Sequence, residues 1–330
     1  MDNTIDISII IPVFNVEDYI ERCLDSIFEQ KFSGKFEVIA VDDASQDKSL
    51  EKLYQYAKKE RNLKILSHRI NRKLSIARTT GMLHSRGNLI MHVDSDDWII
   101  PGALENLHRT FINTKADVIV FNYIHQDSSG NKTKINLIKN NTVTTNKEIV
   151  HKYFLGAPWN KIIRRELISD MIYQEVGINN GEDLVWSTEI LLRAKVICTI
   201  PEYYYTYFVN TQSLTRKSNP TSFLEAMTLV VSQLEKVISI HNPPTSFIQY
   251  ILKYFLKFVF AENLRMLLER NNQNFETKKN LILKIASSNL VDKRNKKRIS
   301  LALQNRIYCI YQTIKFLGLR PTLSLLLKRR

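Results

Sequence analysis

The segment Asp94-Ser95-Asp96-Asp97-Trp98 directly follows the apolar run Leu89-Ile90-Met91-His92-Val93. An apolar run that ends in clustered carboxylates is typical of a buried strand whose last residues reach the edge of a sheet. Because residues two apart in a strand share a face, Asp94 and Asp96 can bind one hard cation through oxygen. A second acidic cluster, residues 42–47, follows another apolar run at 36–41. Two acidic strand ends indicate a metal and nucleotide site at one sheet edge, and therefore an enzyme.

Strand and helix patterns alternate through the first 121 residues. Short apolar runs predict strands at 7–11, 36–41, 63–66, 89–93 and 118–121. Apolar positions at helical spacing predict helices at 16–30, 48–60, 75–85 and 104–112. This alternation predicts an α/β fold with a mostly parallel sheet flanked by helices. Ligands of such sheets bind at the carboxyl ends of the strands, where both acidic clusters fall.

The C-terminal third has a different composition. Residues 221–330 contain 19 of the 47 Lys/Arg but 6 of the 33 Asp/Glu, so they carry +13 of the net charge of +14. Helical patterns occur there at 223–240, 247–270, 278–289 and 299–317. We therefore predict two parts: a catalytic domain at 1–220 and a basic, mainly helical region at 221–330. A basic region of this kind indicates contact with an anionic membrane surface, with the acceptor or with another subunit in a homo-oligomer.

The remaining bulk features favour a cytoplasmic protein. The first residues lack the basic and apolar regions of a signal peptide. Cys23, Cys198 and Cys309 are too far apart for a disulfide framework or a zinc motif, which favours a reducing compartment. Residues 247–268 are apolar but interrupted by charged residues, so a packed amphipathic helix is expected there rather than a membrane span. The expected localisation is cytoplasmic, with peripheral attachment to the inner face of the cell membrane as an open alternative.

Five motifs, taken in order, resemble those of family 2 glycosyltransferases: residues 12–15, 42–47, 71–81, 94–97 and 181–183. The resemblance covers about residues 5–215 and implies the GT-A nucleotide-diphosphosugar-binding fold. It also implies transfer of a sugar, with inversion, from a UDP-sugar to a hydroxyl of a glycan or lipid-linked glycan. Lipooligosaccharide, capsule and teichoic-type polymers are the acceptors that it suggests. A nucleotidyltransferase and a nucleic-acid-binding protein are the alternatives, although no nucleic-acid recognition motif occurs in the chain.

The resemblance also implies donor-site roles for particular residues. The nucleotide-sugar would contact Pro12, Phe14, Asn15, Asp43, Asn71, Arg78, Asp94 and Ser95. The uracil ring would lie at residues 12–15, and Asp43 would contact the base or ribose. Asp96 would bind Mn²⁺ or Mg²⁺, with Asp94 on the ribose or a metal-bound water. Helix capping is the alternative role for Asn15 and Asp43.

The segment 71–81 departs from the family pattern. The family usually has Gly at positions 44 and 73 and Asn at 79, whereas this chain has Ala44, Lys73 and Thr79. Lys73 either adds a contact to the pyrophosphate or is simply exposed. We predict Ser75 as the helix N-cap. Because an arginine in the first helical turn opposes the helix dipole, Arg78 is expected to pair with a diphosphate or with the aspartate cluster.

Inverting transfer requires a base at the acceptor hydroxyl. The resemblance implies that Asp183 is this base, with Glu182 as its catalytic neighbour, although acids at a helix start also favour the dipole. On the acceptor side it implies Trp159, Lys161 and Tyr207. The family often has Arg where this chain has Phe208, so an anionic contact is expected to be missing there.

Overall fold

The computed structural model describes residues 4–145, 156–171, 181–209, 220–251, 280, 282–283, 287–288 and 293–304. The chain divides into two compact units, Met1–Lys217 and Ser218–Arg330. The roles predicted for the two parts of the chain stay predictions.

The first unit alternates strands and helices as predicted. It begins with β1 (Ile7–Val13), α1 (Ile20–Phe28), β2 (Phe36–Asp42), α2 (Ser49–Ala57), β3 (Leu63–Ser67), α3 (Leu74–Leu83) and β4 (Leu89–His92). It continues with β5 (Trp98–Ile99), α4 (Ala103–Thr114), β6 (Val118–Gln126), β7 (Lys132–Ile135) and β8 (Thr142–Thr144). After a gap come β9 (Lys161–Arg164), a 3₁₀ turn (Arg165–Ile168), α5 (Glu182–Arg193) and β10 (Ile197–Phe208).

Within the described residues, ten strands form one sheet in which the longest path runs β3-β2-β1-β4-β9-β6-β10-β5. The neighbours β3, β2, β1 and β4 are parallel, and so are β6 and β10. Antiparallel β9 lies between β4 and β6, so these six strands all run in one direction. The predicted α/β fold with a mostly parallel sheet is therefore confirmed, and the carboxyl ends of β2 and β4 lie at one edge.

The sheet is covered by apolar side chains on both faces. Ile7, Ile9 and Ile11 of β1 lie in the main core with the buried face of α1. On the opposite face, α3 lies against β1 so closely that a Cβ at Gly81 would overlap the side chain of Ile10. Gly81 has no side chain and therefore allows this close approach. The contact fixes the position of α3, and with it the polar residues of α3, against the sheet.

The second unit is helical where it is described. It contains α6 (Pro220–His241), a helical segment at 245–251 and α7 (Lys293–Gln304). Most of the helices predicted at 247–270, 278–289 and 299–317 lies outside the described residues. None of the helices in the described part of the chain has the length and apolar character needed to cross a membrane.

Candidate active site

The aspartate cluster forms a tight turn after β4 that is held by β10. Asp97 N–H donates to the Asp94 carbonyl at 3.0 Å. Tyr205 Oη donates to Asp97 Oδ2 at 2.6 Å and accepts from Asp94 N–H at 3.0 Å, and Phe208 N–H donates to Asp97 Oδ1 at 2.7 Å. Burial, together with the charges of Asp96 and Asp94, raises the pKa of Asp97 well above its usual range. Asp97 therefore holds the turn from inside, and Asp94 and Asp96 stay half-buried at the edge.

One face of α1 supports the same segment from the other side. Three hydrogen bonds join α1 to residues 94–100: Arg22 to the Asp96 carbonyl (2.8 Å), Cys23 to the Asp94 carbonyl (3.7 Å) and Ile99 N–H to Ser26 (3.2 Å). Gln30, two residues beyond the end of α1, donates to the Ile100 carbonyl (3.1 Å). Because these donors and acceptors recur at helical spacing, the turn is fixed by a rigid element and not by a loop.

Arg22 is a site residue that the sequence analysis missed. Its guanidinium carbon lies 4.0 Å from the Trp98 ring centre and 4.4 Å from the Phe208 ring centre, and burial lowers its pKa. The family often has Arg where this chain has Phe208. The guanidinium group of Arg22, which lies on α1, packs against the Phe208 ring and brings a cation to this position. No motif in the sequence marks Arg22, since its partners are a backbone carbonyl and two distant aromatic rings.

Arg78 joins the aspartate turn to the start of α5. Its side chain is 3% exposed, Nη2 donates to Asp94 Oδ1 at 2.7 Å, and Nη1 donates to Glu182 Oε1 at 3.0 Å. Arg78 is predicted to pair with a diphosphate or with the aspartate cluster. The structure shows the pairing with the aspartate cluster. The N-cap prediction for Ser75 is wrong: α3 begins at Leu74 after Lys73, with no side-chain cap, and Ser75 lies buried in the first turn.

The two acids at the start of α5 have different surroundings. Glu182 is 4% exposed, and burial together with the Asp183 charge raises its pKa to about 7, although Arg78 opposes the rise. Asp183 is half-buried, and its Oδ1 accepts from Leu184 N–H at 2.8 Å. Burial also raises the pKa of Asp183, against the charges of Arg78 and Lys161. Glu182 is therefore paired with Arg78, whereas Asp183, whose pKa is also raised, forms no ion pair within the described residues.

Lys161, at the start of β9, is buried at 1% exposure. Its Nζ donates to the Ala157 carbonyl at 2.6 Å and to Asn160 Oδ1 at 2.8 Å. Burial lowers the pKa of Lys161 to about 7, and the charge of Asp183 opposes this. Its ammonium group is closed off from solvent, so a direct contact with an acceptor is not what this geometry provides; Lys161 acts on Asp183 as a nearby charge.

Trp159 and Tyr207 belong to a stack of aromatic rings beside the aspartate turn. Trp159 stacks on Tyr205 at 4.7 Å and on Tyr207 at 5.5 Å between ring centres, and His125 stacks on Tyr207 at 5.5 Å. Trp159 and Tyr205 are buried, whereas Tyr207 and His125 are half-buried. Since the inner ring, Tyr205, bonds to Asp97, the stack connects the half-buried outer rings to the turn.

The segment after β1 is held by the acidic cluster that follows β2. Asn15 has a left-handed backbone (φ 52°), donates its N–H to Ser45 Oγ at 3.1 Å and accepts from Gln46 N–H at 2.7 Å. Asn15 is not a helix cap, because α1 begins at Ile20. Pro12 is buried and Phe14 half-buried beside it. This arrangement fixes the mouth of the predicted uracil pocket.

Asp43 organises the loop 68–73 that leads into α3. Its Oδ1 accepts from Arg72 N–H at 2.8 Å and lies 2.7 Å from His68 Nδ1, and its Oδ2 accepts from Lys73 N–H at 2.9 Å. The capping alternative for Asp43 is wrong, since Asp47 binds the Ser49 N–H at the start of α2. Asn71 is exposed in this loop, and Ser95 is buried in the aspartate turn.

Ala44 and Lys73 stand where the family pattern has Gly, and both have positive φ, 63° and 79°. The conformation suited to Gly is therefore kept although the residues have changed. Among the described residues, no group of three His, Cys, Asp or Glu side chains is arranged to hold a metal ion.

Residues 8–172 match the model of the family described as Glycosyl transferase family 2. The uncharacterized glycosyltransferase EpsJ of Bacillus subtilis is 30% identical over 218 residues, which are 63% of this chain and 62% of EpsJ. The cholesterol galactosyltransferase of Borreliella burgdorferi is 28% identical over 270 residues, 77% of this chain and 73% of that protein. A poly(ribitol-phosphate) beta-glucosyltransferase of Bacillus spizizenii is 31% identical over 206 residues, 62% of this chain and 32% of that protein.

The chain thus spans about three fifths of the length of EpsJ and about one third of the ribitol-phosphate enzyme. Among solved structures, that of S. aureus TarS 1-349 in complex with UDP-GlcNAc has a TM-score of 0.70 at 22% identity. The match covers 95% of this chain and 92% of that chain. At this level of identity the similarity establishes the fold.

Proposed function

This chain belongs to glycosyl transferase family 2, and we propose that it moves a sugar from a UDP-sugar to a hydroxyl group of a cell-surface glycan. The observation that carries the proposal is the Arg78 bridge between Asp94 and Glu182. It brings the end of β4 and the start of α5 together at one edge of the sheet. The aspartate turn proposed for the donor and Asp183, the residue proposed as the general base, thereby belong to one site.

The donor is proposed to be a UDP-sugar. The left-handed turn at Asn15 and the loop held by Asp43 form a fixed pocket mouth of the kind that a nucleotide needs. The TarS structures with UDP-GlcNAc and with UDP, which share this fold, support the choice of nucleotide.

A divalent cation fits the aspartate turn. Asp94 and Asp96 offer carboxylate oxygens at the edge, and Asp97 is turned inward. Mg²⁺ usually takes one or two carboxylates and completes its coordination with water and substrate phosphates, so a group of three protein ligands is not needed. Since Arg78 takes Asp94 Oδ1, we assign Asp96 as the main ligand of Mn²⁺ or Mg²⁺. When bound, such an ion supplies charge stabilisation to the departing UDP.

Asp183 is proposed to take the proton of the acceptor hydroxyl. As that oxygen forms its bond to the anomeric carbon, the bond from this carbon to UDP breaks and UDP leaves with the electron pair. The raised pKa of Asp183 brings its basicity nearer to neutral pH. Glu182 and Arg78 position the start of α5, and the buried Lys161 adds positive charge beside the base.

The acceptor is proposed to be a glycan or lipid-linked glycan of the cell surface, such as a teichoic-type polymer. The ribitol-phosphate enzyme and a minor teichoic acid biosynthesis protein, GgaB of Bacillus subtilis, support this choice among the relatives. Tyr207 and His125 are the half-buried outer rings of the aromatic stack, and we propose that a sugar ring of the acceptor contacts this outer end. The basic C-terminal region is proposed to contact the acceptor or an anionic membrane surface.

The test is a panel of UDP-sugars incubated with the full chain in Mn²⁺, with free UDP and thermal stability as readouts. We expect one donor to stabilise the protein and to release UDP rather than pyrophosphate, and the release to increase when acceptor is added. The variant Asp183→Asn is the control, since it should bind the same donor without transfer. Absence of both stabilisation and UDP release with every UDP-sugar would contradict the proposed function.

A further inference from the structure

Lys73 has a backbone conformation that a lysine rarely adopts. Its φ is 79° and its ψ is 158°, a region populated almost only by Gly. Gly102 and Gly181 have a similar φ, 83° and 80°, but a ψ of 3°, so Lys73 differs even from these glycines in lying in the more restricted region. At position 73 the chain keeps a long charged side chain in a conformation that disfavours one. A side chain retained under strain suggests a role for that side chain.

The strained conformation is imposed by Asp43. The buried carboxylate accepts from the N–H groups of Arg72 and Lys73 and contacts His68, whose other ring nitrogen lies 2.9 Å from Thr80 Oγ1. The loop is therefore tied to the end of β2 and to α3. Lys73 is presented from a fixed backbone, so little ordering is required when a ligand binds.

Positive charge accumulates on this loop without matching acids. Arg69, Arg72 and Lys73 are all exposed, and within the described part of the chain none of the three forms an ion pair with a carboxylate. Among the described residues, Asp43 is the acid whose side chain bonds to the loop backbone, and its oxygens are occupied by the N–H groups of Arg72 and Lys73 and by His68. Three unmatched cations on an anchored loop favour an anionic ligand of phosphate class.

We propose that the Lys73 ammonium group binds the diphosphate of the nucleotide donor. The proposal rests on the proposed UDP-sugar activity and adds a contact to it. The Lys73 N–H donates to Asp43, assigned to the base or ribose, and Lys73 directly precedes α3, on which Arg78 contacts Asp94 of the aspartate turn. A diphosphate joins the nucleoside to the sugar, so a cation between these two points meets it. This position favours the donor over phosphates of the acceptor.

The test compares Lys73→Gly with Ala44→Gly. Both changes place Gly at a left-handed position, so both should raise Tm by a few degrees. Only Lys73→Gly removes a cation, so its affinity for UDP, measured by calorimetry, should fall about tenfold while that of Ala44→Gly stays unchanged. Lys73→Arg should keep the affinity without the gain in Tm. The affinity for uridine, which has no phosphate, should be the same in all four proteins.

Each contrary result has a distinct meaning. Unchanged UDP affinity in Lys73→Gly would overturn the proposal and leave the UDP-sugar function standing. An equal loss of UDP affinity in Lys73→Arg would show that the positive charge of Lys73 does not bind the diphosphate. A lower Tm in Lys73→Gly would remove the strain argument. Slower transfer to a phosphate-bearing acceptor at unchanged UDP affinity would overturn the assignment to the donor. Failure of the wild-type protein to bind UDP would contradict the proposed function itself.

Discussion

Replacing Glu182 with Gln should remove a pH dependence from the stability of the protein. Glu182 is buried at 4% exposure, and its Oε1 accepts from Arg78 Nη1 at 3.0 Å. The amide of Gln keeps the shape and an oxygen for Arg78, but it does not titrate. The change therefore separates the charge of this side chain from its packing.

The magnitude follows from the pKa of Glu182, about 7 in the folded protein against an ordinary value of 4.5. Between these values the folded state holds a proton that the unfolded state has released. The free energy of unfolding of the wild-type protein therefore falls as pH rises from 4.5 through 7. At about 1.4 kcal/mol per pKa unit, the loss amounts to about 3 kcal/mol. Glu182→Gln lacks this loss, because its amide does not titrate.

Thermal denaturation between pH 5 and pH 8 measures this effect. A change of 1 kcal/mol shifts Tm by roughly 2–4 °C in a unit of this size, so the difference in Tm between variant and wild type should change by about 6–12 °C across the range, in favour of the variant at pH 8. Glu166→Gln, at an exposed position, is the matched control and should follow the wild type. Parallel Tm curves for the wild type and Glu182→Gln would refute the reasoning.

Three other outcomes are expected. Asp96→Ala should keep the fold but lose activity, because the cation loses its main ligand; UDP should stabilise the wild type only with a divalent cation, and equal stabilisation in excess chelator would contradict this. Asp183→Asn should bind donor but transfer about 10²–10⁴ times more slowly, and wild-type turnover should fall as pH drops through the raised pKa of Asp183; normal turnover would make Glu182 the next candidate. Deleting residues 293–330 should weaken salt-sensitive sedimentation with acidic liposomes, at roughly 1 kcal/mol per basic residue, while UDP-sugar hydrolysis persists; a change in mass by light scattering without a change in sedimentation would indicate an oligomer contact.

The positions of the strands and of the acidic turn could be predicted because they depend on local patterns. An apolar run such as residues 89–93 needs burial on both faces, and the carboxylates after it cannot be buried without partners, so the edge of the sheet lies between them. Parallel pairing then brings the ends of β2 and β4 to one edge. Local pattern and fold agree here, and the prediction is confirmed.

Partners far apart in the chain could not be predicted. Nothing near Arg78 identifies Glu182 as its second partner, and nothing near Arg22 identifies the Asp96 carbonyl. The backbone conformation of Lys73 could not be predicted for the same reason, because its partner Asp43 is far away in the chain. Its departure from Gly was visible, but only the structure shows that Asp43 imposes the left-handed conformation. Hydrogen bonds to backbone groups leave little trace in side-chain patterns.

The position of β9 also bears on how the protein is made. A ribosome that has synthesised residues 1–126 has made β4 and β6 but not the strand that lies between them. Until residues 161–164 emerge, both neighbours have an open edge that can pair with other chains. The start of α5 and the Tyr205 hydroxyl, which bond to the residues after β4 and on α3, come later still. The nascent chain therefore stays vulnerable to aggregation until β9 is added, and the acidic turn gains its partners from α5 and β10 only late in synthesis.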